Sequence, residues 1–333
     1  MKTDGLTALE KHLSIQLAEG HEYKINDRDY VMEDGILRRK SLYTTTLEEV
    51  KAHYNTMWAA YDFDEDALTF QKNWFEENFP GVRAQKSSLV PKGGTVLDAG
   101  CGASFSGIAF FGEYMNEINY IGVDISRSID SAKQHLKTIG LKANLMQDNL
   151  MDLPFKPNTF DMIFTPCVLQ HTDSVRESMR TLTEKLKPSG RILLWIYRAA
   201  PPVRDFADRY INEALKNLTT EEGLKAMEPL TKLGIALGKL DATVDIEEDI
   251  ELLKIPKGKI NVQRLFYYYF TKAFYNPDLS FKRHVEHNLD WYRPTNMHKT
   301  NLEQLKEYCE YAGLSIDQHW VTLGGISMIG TKR

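Results

Sequence analysis

Val96-Leu97-Asp98-Ala99-Gly100-Cys101-Gly102-Ala103-Ser104 reads as a short apolar strand that runs into a glycine-rich turn and then a helix start. Tyr120-Ile121-Gly122-Val123-Asp124 reads as a second apolar strand that ends on a carboxylate. In a doubly wound sheet two such strand ends lie side by side at the crevice where ligands bind. Gly100 and Gly102 remove side chains, so the backbone can approach a ligand closely and take positive φ. Asp124 stands where an acid grips the hydroxyls of a ribose. Together the two segments imply a pocket for a nucleoside.

A dinucleotide fingerprint asks for a third glycine, which lets the helix start close to a pyrophosphate. Here the glycines are Gly100 and Gly102, and Phe105 follows where the third would stand. Asp98, two residues before Gly100, would repel a pyrophosphate and suits a cationic ligand. Downstream, Met146-Gln147-Asp148-Asn149-Leu150-Met151-Asp152-Leu153-Pro154-Phe155 precedes a fourth strand at Thr159-Phe160-Asp161-Met162-Ile163-Phe164. Leu186-Lys187-Pro188-Ser189-Gly190-Arg191-Ile192-Leu193-Leu194 reads as a helix end, a turn and a fifth strand. The D-x-G-x-G turn, the acid before "LPF", the "FD" and the "LKPSG" follow in an order that resembles the class I S-adenosylmethionine-dependent methyltransferases. The resemblance covers about residues 94–198. The last third also resembles a methyltransferase type 11-like bacterial subfamily, through Trp195-Ile196-Tyr197-Arg198, Asp290-Trp291-Tyr292-Arg293-Pro294 and His298-Lys299-Thr300.

The resemblance implies an α/β, Rossmann-like, doubly wound sheet of seven strands, mostly parallel with an antiparallel last strand. It implies S-adenosylmethionine as cofactor and S-adenosylhomocysteine as product. Gly100 and Gly102 would pass beneath the methionine part, with Cys101 and Cys167 also in the cofactor site. Asp98 would help orient the amino group through water or backbone. Asp124, with Ile125 after it, would take the ribose hydroxyls. Asp148 would hydrogen-bond the adenine amino group, and Asn149 or Leu150 would flank the ring. Asp152 reads as a solvated loop acid or a helix cap. Ser104, in place of a third small glycine, should start the helix with only local adjustment.

Domain boundaries follow from the pattern. Residues 1–85 read as an N-terminal extension: a helical spacing over 6–18, a hairpin through Tyr30–Met32 and Ile36–Arg38 turning on Asp34-Gly35, and a Thr46-x-x-Glu49 capping box opening a helix to about Ala60. Another helix spans Asp66 to Phe79 and stops at Pro80-Gly81. Residues 86–200 and 290–333 form the core, and 201–289 form a helical cap between strands five and six. Phe266, Tyr269, Phe270 and Ala273 would share one helix face as ordinary core, the alternative being an apolar or aromatic acceptor pocket. Thr300-x-x-Glu303 reads as the capping box of the last helix, Leu302 to Ala312. The closing strands are Ser315–Val321 and Ile326–Thr331.

Transfer would be an in-line displacement that needs the acceptor held about 3 Å from the methyl carbon. An amine or hydroxyl acceptor needs a base, and His171, His298 and Tyr197 are the ordered candidates. His171 has a structural alternative, as the cap of the next helix or the support of its loop. Arg198, Trp291, Tyr292 and Arg293 are candidate substrate contacts. The enclosing cap favours a small-molecule acceptor, O- or N-methylated. An RNA methyltransferase or a cofactor-binding interaction protein are the alternatives. The formal net charge of −5, with no basic block, argues against a nucleic-acid partner. Three dispersed cysteines without a CxxC pair argue against a disulfide framework or a metal site, and with the lack of an apolar leader they suggest a cytoplasmic protein. No stretch is apolar and long enough to span a membrane. Oligomeric state is not readable from these patterns.

Overall fold

The apolar runs at Val96–Ala99, Tyr120–Val123 and Met162–Pro166 have no polar alternation, which is the signature of strands buried on both faces. In a computed structural model, which describes residues 7–42, 65–141, 144–294 and 296–333, they form the centre of one sheet. Its strands are β1 (Glu22–Ile25), β2 (Arg28–Glu33), β3 (Ile36–Arg39), β4 (Thr95–Ala99), β5 (Asn119–Asp124), β6 (Asn144–Gln147), β7 (Phe160–Pro166) and β8 (Leu186–Tyr197). A two-stranded hairpin, β9 (Thr243–Ile246) and β10 (Gly258–Asn261), stands apart from the sheet. The sheet closes with β11 (Leu314–Val321) and β12 (Gly325–Lys332).

The spatial order is β1-β2-β3-β6-β5-β4-β7-β8-β12-β11. From β6 to β8 neighbours are parallel, and β12 enters antiparallel between β8 and β11. Seven strands, β6-β5-β4-β7-β8-β12-β11, follow the expected arrangement with β12 antiparallel, but the sheet is wider than the seven strands expected. Among the described residues, three more join them. The Asp34-Gly35 hairpin forms with Glu33 opposite Ile36, and β3 then docks parallel to β6. A second tight turn at Asn26-Asp27, both at positive φ, adds β1. The N-terminal stretch read as an extension thus widens the core sheet. β8 also begins earlier than expected. Lys187–Gly190 is a bulge inside it, where the pairing jumps from Phe160↔Leu186 to Met162↔Arg191.

Alternate residues divide between two apolar layers. Leu97, Ile121, Ile163 and Ile196 face one layer with Met179, Leu182 and Leu305. Val96, Tyr120, Phe164 and Trp195 face the other, with Phe75, Phe79, Phe110 and Phe111. The helix Glu65–Asn78 supplies Phe75, and Gly81 at positive φ follows its end. The last helix, Leu302–Ala312, is capped by Asn301 with Gln304 rather than by Thr300 with Glu303. Thr300 instead donates its backbone N–H to the carbonyl of Tyr197, 2.9 Å away. The Thr46-x-x-Glu49 capping box lies outside the described residues.

The chain divides into two compact units, Met1–Tyr197 with Thr300–Arg333, and Arg198–Lys299. The second unit packs the helices Pro202–Leu215, Thr220–Lys239, Val262–Tyr269 and Phe281–Tyr292 around Leu215, Met227, Val285, Leu289 and Tyr292. It contains the β9–β10 hairpin as well, so it is not all helical. Its boundary falls near 300 rather than 290, because Ser280 caps a helix that runs unbroken to Tyr292 and buries Val285, Leu289 and Tyr292 together. The expected aromatic face does not form in full: the helix stops at Tyr269, so Ala273, although buried, is not on it. Thr219 and Glu222 make a capping box, and Lys299 bridges Asp205 and Asp208 at 2.9 Å each.

The N-terminal strands are locked to the core by charge. Asp148, fully buried after β6, accepts from Tyr30 Oη at 2.7 Å and Arg39 Nη1 at 3.2 Å. Asp152 accepts from Arg28 Nε at 2.8 Å and Arg39 Nη2 at 3.0 Å. It is neither a free loop acid nor a cap: burial alone would raise its carboxyl, and the hydrogen bonds from Arg28 and Arg39 bring it below the ordinary carboxylate range. Removing one partner of a buried pair strands the other charge. Arg39→Met should therefore cost roughly 3 kcal/mol of unfolding free energy, read by urea denaturation. A loss below a few tenths would place the anchor elsewhere.

Candidate functional site

The crevice is built where β4 and β5 end. Gly100 and Cys101 donate their N–H groups to the carbonyl of Val123 at 2.8 and 3.0 Å, which fixes the turn against β5. The Gly102 N–H then donates to Asp124 Oδ2 at 2.8 Å. Asp124 Oδ1 accepts from the N–H and hydroxyl of Ser126 at 2.8 and 2.6 Å. Burial pushes the Asp124 carboxyl up, and these hydrogen bonds oppose it. The residue remains partly exposed at the strand end, with Ile125 beside it and Asn149 at the end of β6.

Gly100, at φ +84°, is required twice over. A Cβ there would lie 2.4 Å from the Val168 side chain, in the turn that leaves β7. That turn is sharp, with Cys167 at φ +63° and its N–H on the Trp195 carbonyl at 3.0 Å. Cys167 is exposed and Cys101 is buried.

The third small residue is Gly107, not position 104. Ser104 takes the left-handed conformation at the helix start and gives the helix no side-chain cap. Gly107 lies in the first turns of helix Phe105–Phe111, where a Cβ would come within 2.5 Å of Tyr120 Oη and 2.7 Å of Asp98 Oδ2. Beneath it the Tyr120 hydroxyl donates to Asp98. Asp98 is almost wholly buried and supports the turn from below.

Other expected contacts are also redistributed. Asp148, expected on the adenine amino group, is engaged by Tyr30, Arg39 and the Asn149 N–H. Leu150 is buried in the core, which leaves Asn149 of the two expected ring neighbours. Asn149 accepts from the Met151 N–H through its side chain. His171 and Tyr197 do come together, edge to face with ring centroids 5.4 Å apart. The cap of helix Val175–Lys185 is Ser174, so His171 is not that cap.

His298, Arg198, Trp291, Tyr292 and Arg293 belong to the second unit. His298 and Arg198 are exposed. Trp291 packs between Lys272, 3.6 Å from its ring centre, and Arg204 at 5.1 Å. Tyr292 is wholly buried core, which removes it as a substrate contact. Arg293 donates to Thr220 Oγ1 at 2.8 Å and to the Leu218 carbonyl at 3.3 Å, tying two helices together instead of facing a substrate. Among the described residues, no group of three His, Cys, Asp or Glu is arranged to hold a metal, and no helix is long and apolar enough to cross a membrane.

The Asp98–Tyr120 pair gives the site a pH signature. Burial, helped by the Asp124 charge, pushes the Asp98 carboxyl up to about 7 against the lowering effect of the Tyr120 hydrogen bond. In the unfolded chain an aspartate ionises near 4. Between those values the folded state keeps a proton that the unfolded state has released. The stability from this group is therefore full below about 4 and lost as pH rises through about 7. Asp98→Asn should flatten that fall in a difference curve of unfolding free energy against pH. An unchanged slope would assign the proton to another group.

A family model described as a methyltransferase domain matches residues 91–233. A demethylmenaquinone methyltransferase of Bacillus cereus (strain B4264) is 27% identical over 155 residues, which are 45% of this chain and 62% of that protein. The chain thus spans rather less than two thirds of that relative. Among solved structures, magnesium protoporphyrin IX methyltransferase from Synechocystis PCC 6803 with bound S-adenosylmethionine aligns at 11% identity and TM-score 0.47, covering 88% of this chain and all (100%) of that one. A S-adenosylmethionine-dependent methyltransferase from Aquifex aeolicus aligns at 12% identity and TM-score 0.42, covering 82% and 100%. Residues 91–233 thus match a methyltransferase domain, in keeping with the strand order and the glycine turn.

Proposed function

We propose that the chain transfers a methyl group from S-adenosylmethionine to a small-molecule acceptor. The observation that carries this reading is the crevice at the ends of β4 and β5, where Gly100 is kept bare by Val168 and Asp124 is held by the Gly102 N–H. The bound sulfonium would supply a methyl group open to nucleophilic attack. The protein's part is to hold and orient. Asp124 is held in place by Gly102 and Ser126 and stays partly exposed at the strand end, so it can accept from a ribose hydroxyl. Ile125 and Asn149, both partly exposed, flank the base. His171 against Tyr197 supplies a nitrogen that can take a proton from a hydroxyl or amine acceptor.

The net charge of −5 favours a small molecule over a nucleic acid. The acceptor is to be found by incubating the protein with methyl-labelled S-adenosylmethionine and a fractionated bacterial extract. Label is expected in a small-molecule or lipid fraction. Label in RNA or protein would replace the acceptor class.

Asp124 is the direct check on the cofactor site. Asp124→Ala should weaken S-adenosylhomocysteine binding at least tenfold, the order expected for losing a hydrogen bond to a charged group, read by calorimetry. Equal affinity would move the ribose site elsewhere.

A further inference from the structure

Gln147, the last residue of β6, is buried and lies opposite Asp124 in the parallel register of β5 and β6. Its amide is engaged at both ends. Oε1 accepts from Arg38 Nη1 at 2.9 Å, and Nε2 donates to the Ile125 carbonyl at 3.1 Å. A guanidinium carries only donors, so the amide oxygen has to face Arg38 and the nitrogen is left for Ile125. Arg38 is itself buried on β3, and its Nη2 donates to Asp130 in the first turn of the helix Ser128–Thr138. The Ile125 carbonyl belongs to the same peptide group as the Ser126 N–H, which donates to Asp124 Oδ1 at 2.8 Å. That planar unit is therefore held at its oxygen by Gln147 and at its nitrogen by the crevice acid.

We infer that Gln147 is a positioning residue for nucleoside binding, an inference that rests on the S-adenosylmethionine reading above. Its amide is spent on Arg38 and Ile125, so it acts through its neighbours. It fixes the rotation of the Ile125–Ser126 peptide, and the Ser126 N–H in turn fixes the carboxylate that meets the ribose. Because the peptide group is rigid, turning its carbonyl away from Gln147 turns its N–H away from Asp124. Backbone pairing does not do this work. The Asp148 N–H donates to the Asp124 carbonyl at 3.1 Å, and β5 ends at that residue. The Gln147 side chain carries the hold of β6 one peptide further. Arg38 sets the direction of that amide, so the outer meander reaches the ribose acid through side chains of its own.

The test uses two variants of the full chain and S-adenosylhomocysteine titrated calorimetrically. Gln147→Glu keeps an acceptor for Arg38 and loses the donor for Ile125. Gln147→Met, of similar length, loses both. Each should bind S-adenosylhomocysteine roughly 5–10-fold more weakly than wild type, the span expected for one hydrogen bond. Only Gln147→Met takes an acceptor from Arg38, so it should melt lower than Gln147→Glu. Equal losses of affinity at unequal stability are what a positioning role requires. The same two changes are then made in Asp124→Ala. With the group they act through already gone, each should cost no more than about a further twofold. Unchanged affinity in both variants, a loss confined to the lower-melting one, or a full loss that persists beside Asp124→Ala would overturn the assignment while leaving the cofactor reading intact. Wild-type protein that binds no S-adenosylhomocysteine would overturn both.

Discussion

The hydrogen bond from the Gly102 N–H to Asp124 joins two strand ends that chain connectivity alone leaves independent. One partner is a backbone group with no side chain over it. The other is a carboxylate, and a charged acceptor makes the bond stronger than a neutral one would. Around this link the other parts fall into place: the Val123 carbonyl takes the two preceding N–H groups, Ser126 holds the far carboxylate oxygen, and Val168 closes on Gly100. The turn is therefore shaped by the protein's own hydrogen bonds, and groups fixed in this way cost a ligand less ordering on binding.

A second carboxylate does for the outer strands what Asp124 does for the turn. Asp148 lies fully buried where β6 ends and is held by Tyr30 from β2 and Arg39 from β3. Arg39 also reaches Asp152, so one guanidinium spans two acids, a geometry that suits its fixed fork of donors. The β6 side of the crevice is thus braced by residues that lie far from it in the chain. Loss of the meander would expose the Asp148–Asn149 segment as well as an edge strand.

How much of this was legible varies with the range of the interaction responsible. The central strands, the Asp34-Gly35 hairpin and the closing pair were readable because apolar runs and turn residues act locally. The glycine turn and Asp124 were readable through the spacing of a few neighbouring residues. The anchoring of Asp148 was not legible because its partners, Tyr30 and Arg39, are remote in sequence and give no local sign that β3 will dock on β6. Gly107 was overlooked for a similar reason. It is needed because of Tyr120, a residue on another strand. Tyr292 and Arg293 looked functional as a polar–aromatic cluster, but helix periodicity from Ser280 onward explains Tyr292 as core. The His171–Tyr197 pairing was anticipated only as two separate candidates. Their contact comes from β7 and β8 lying side by side.

The hydrogen bond between the Thr300 N–H and the Tyr197 carbonyl has a consequence for how the chain can change over time. β8 ends at Tyr197, and its antiparallel neighbour β12 starts with Gly325 opposite that residue. About a hundred residues intervene between positions 197 and 300, yet the first unit experiences them as a loop whose two ends already touch. The entropy of closing such a loop grows only with the logarithm of its length. Sequence between 198 and 299 can therefore be lengthened, shortened or exchanged with little effect on the register of β8 against β12. Lineages sharing this sheet would be free to vary the inserted unit far faster than the crevice.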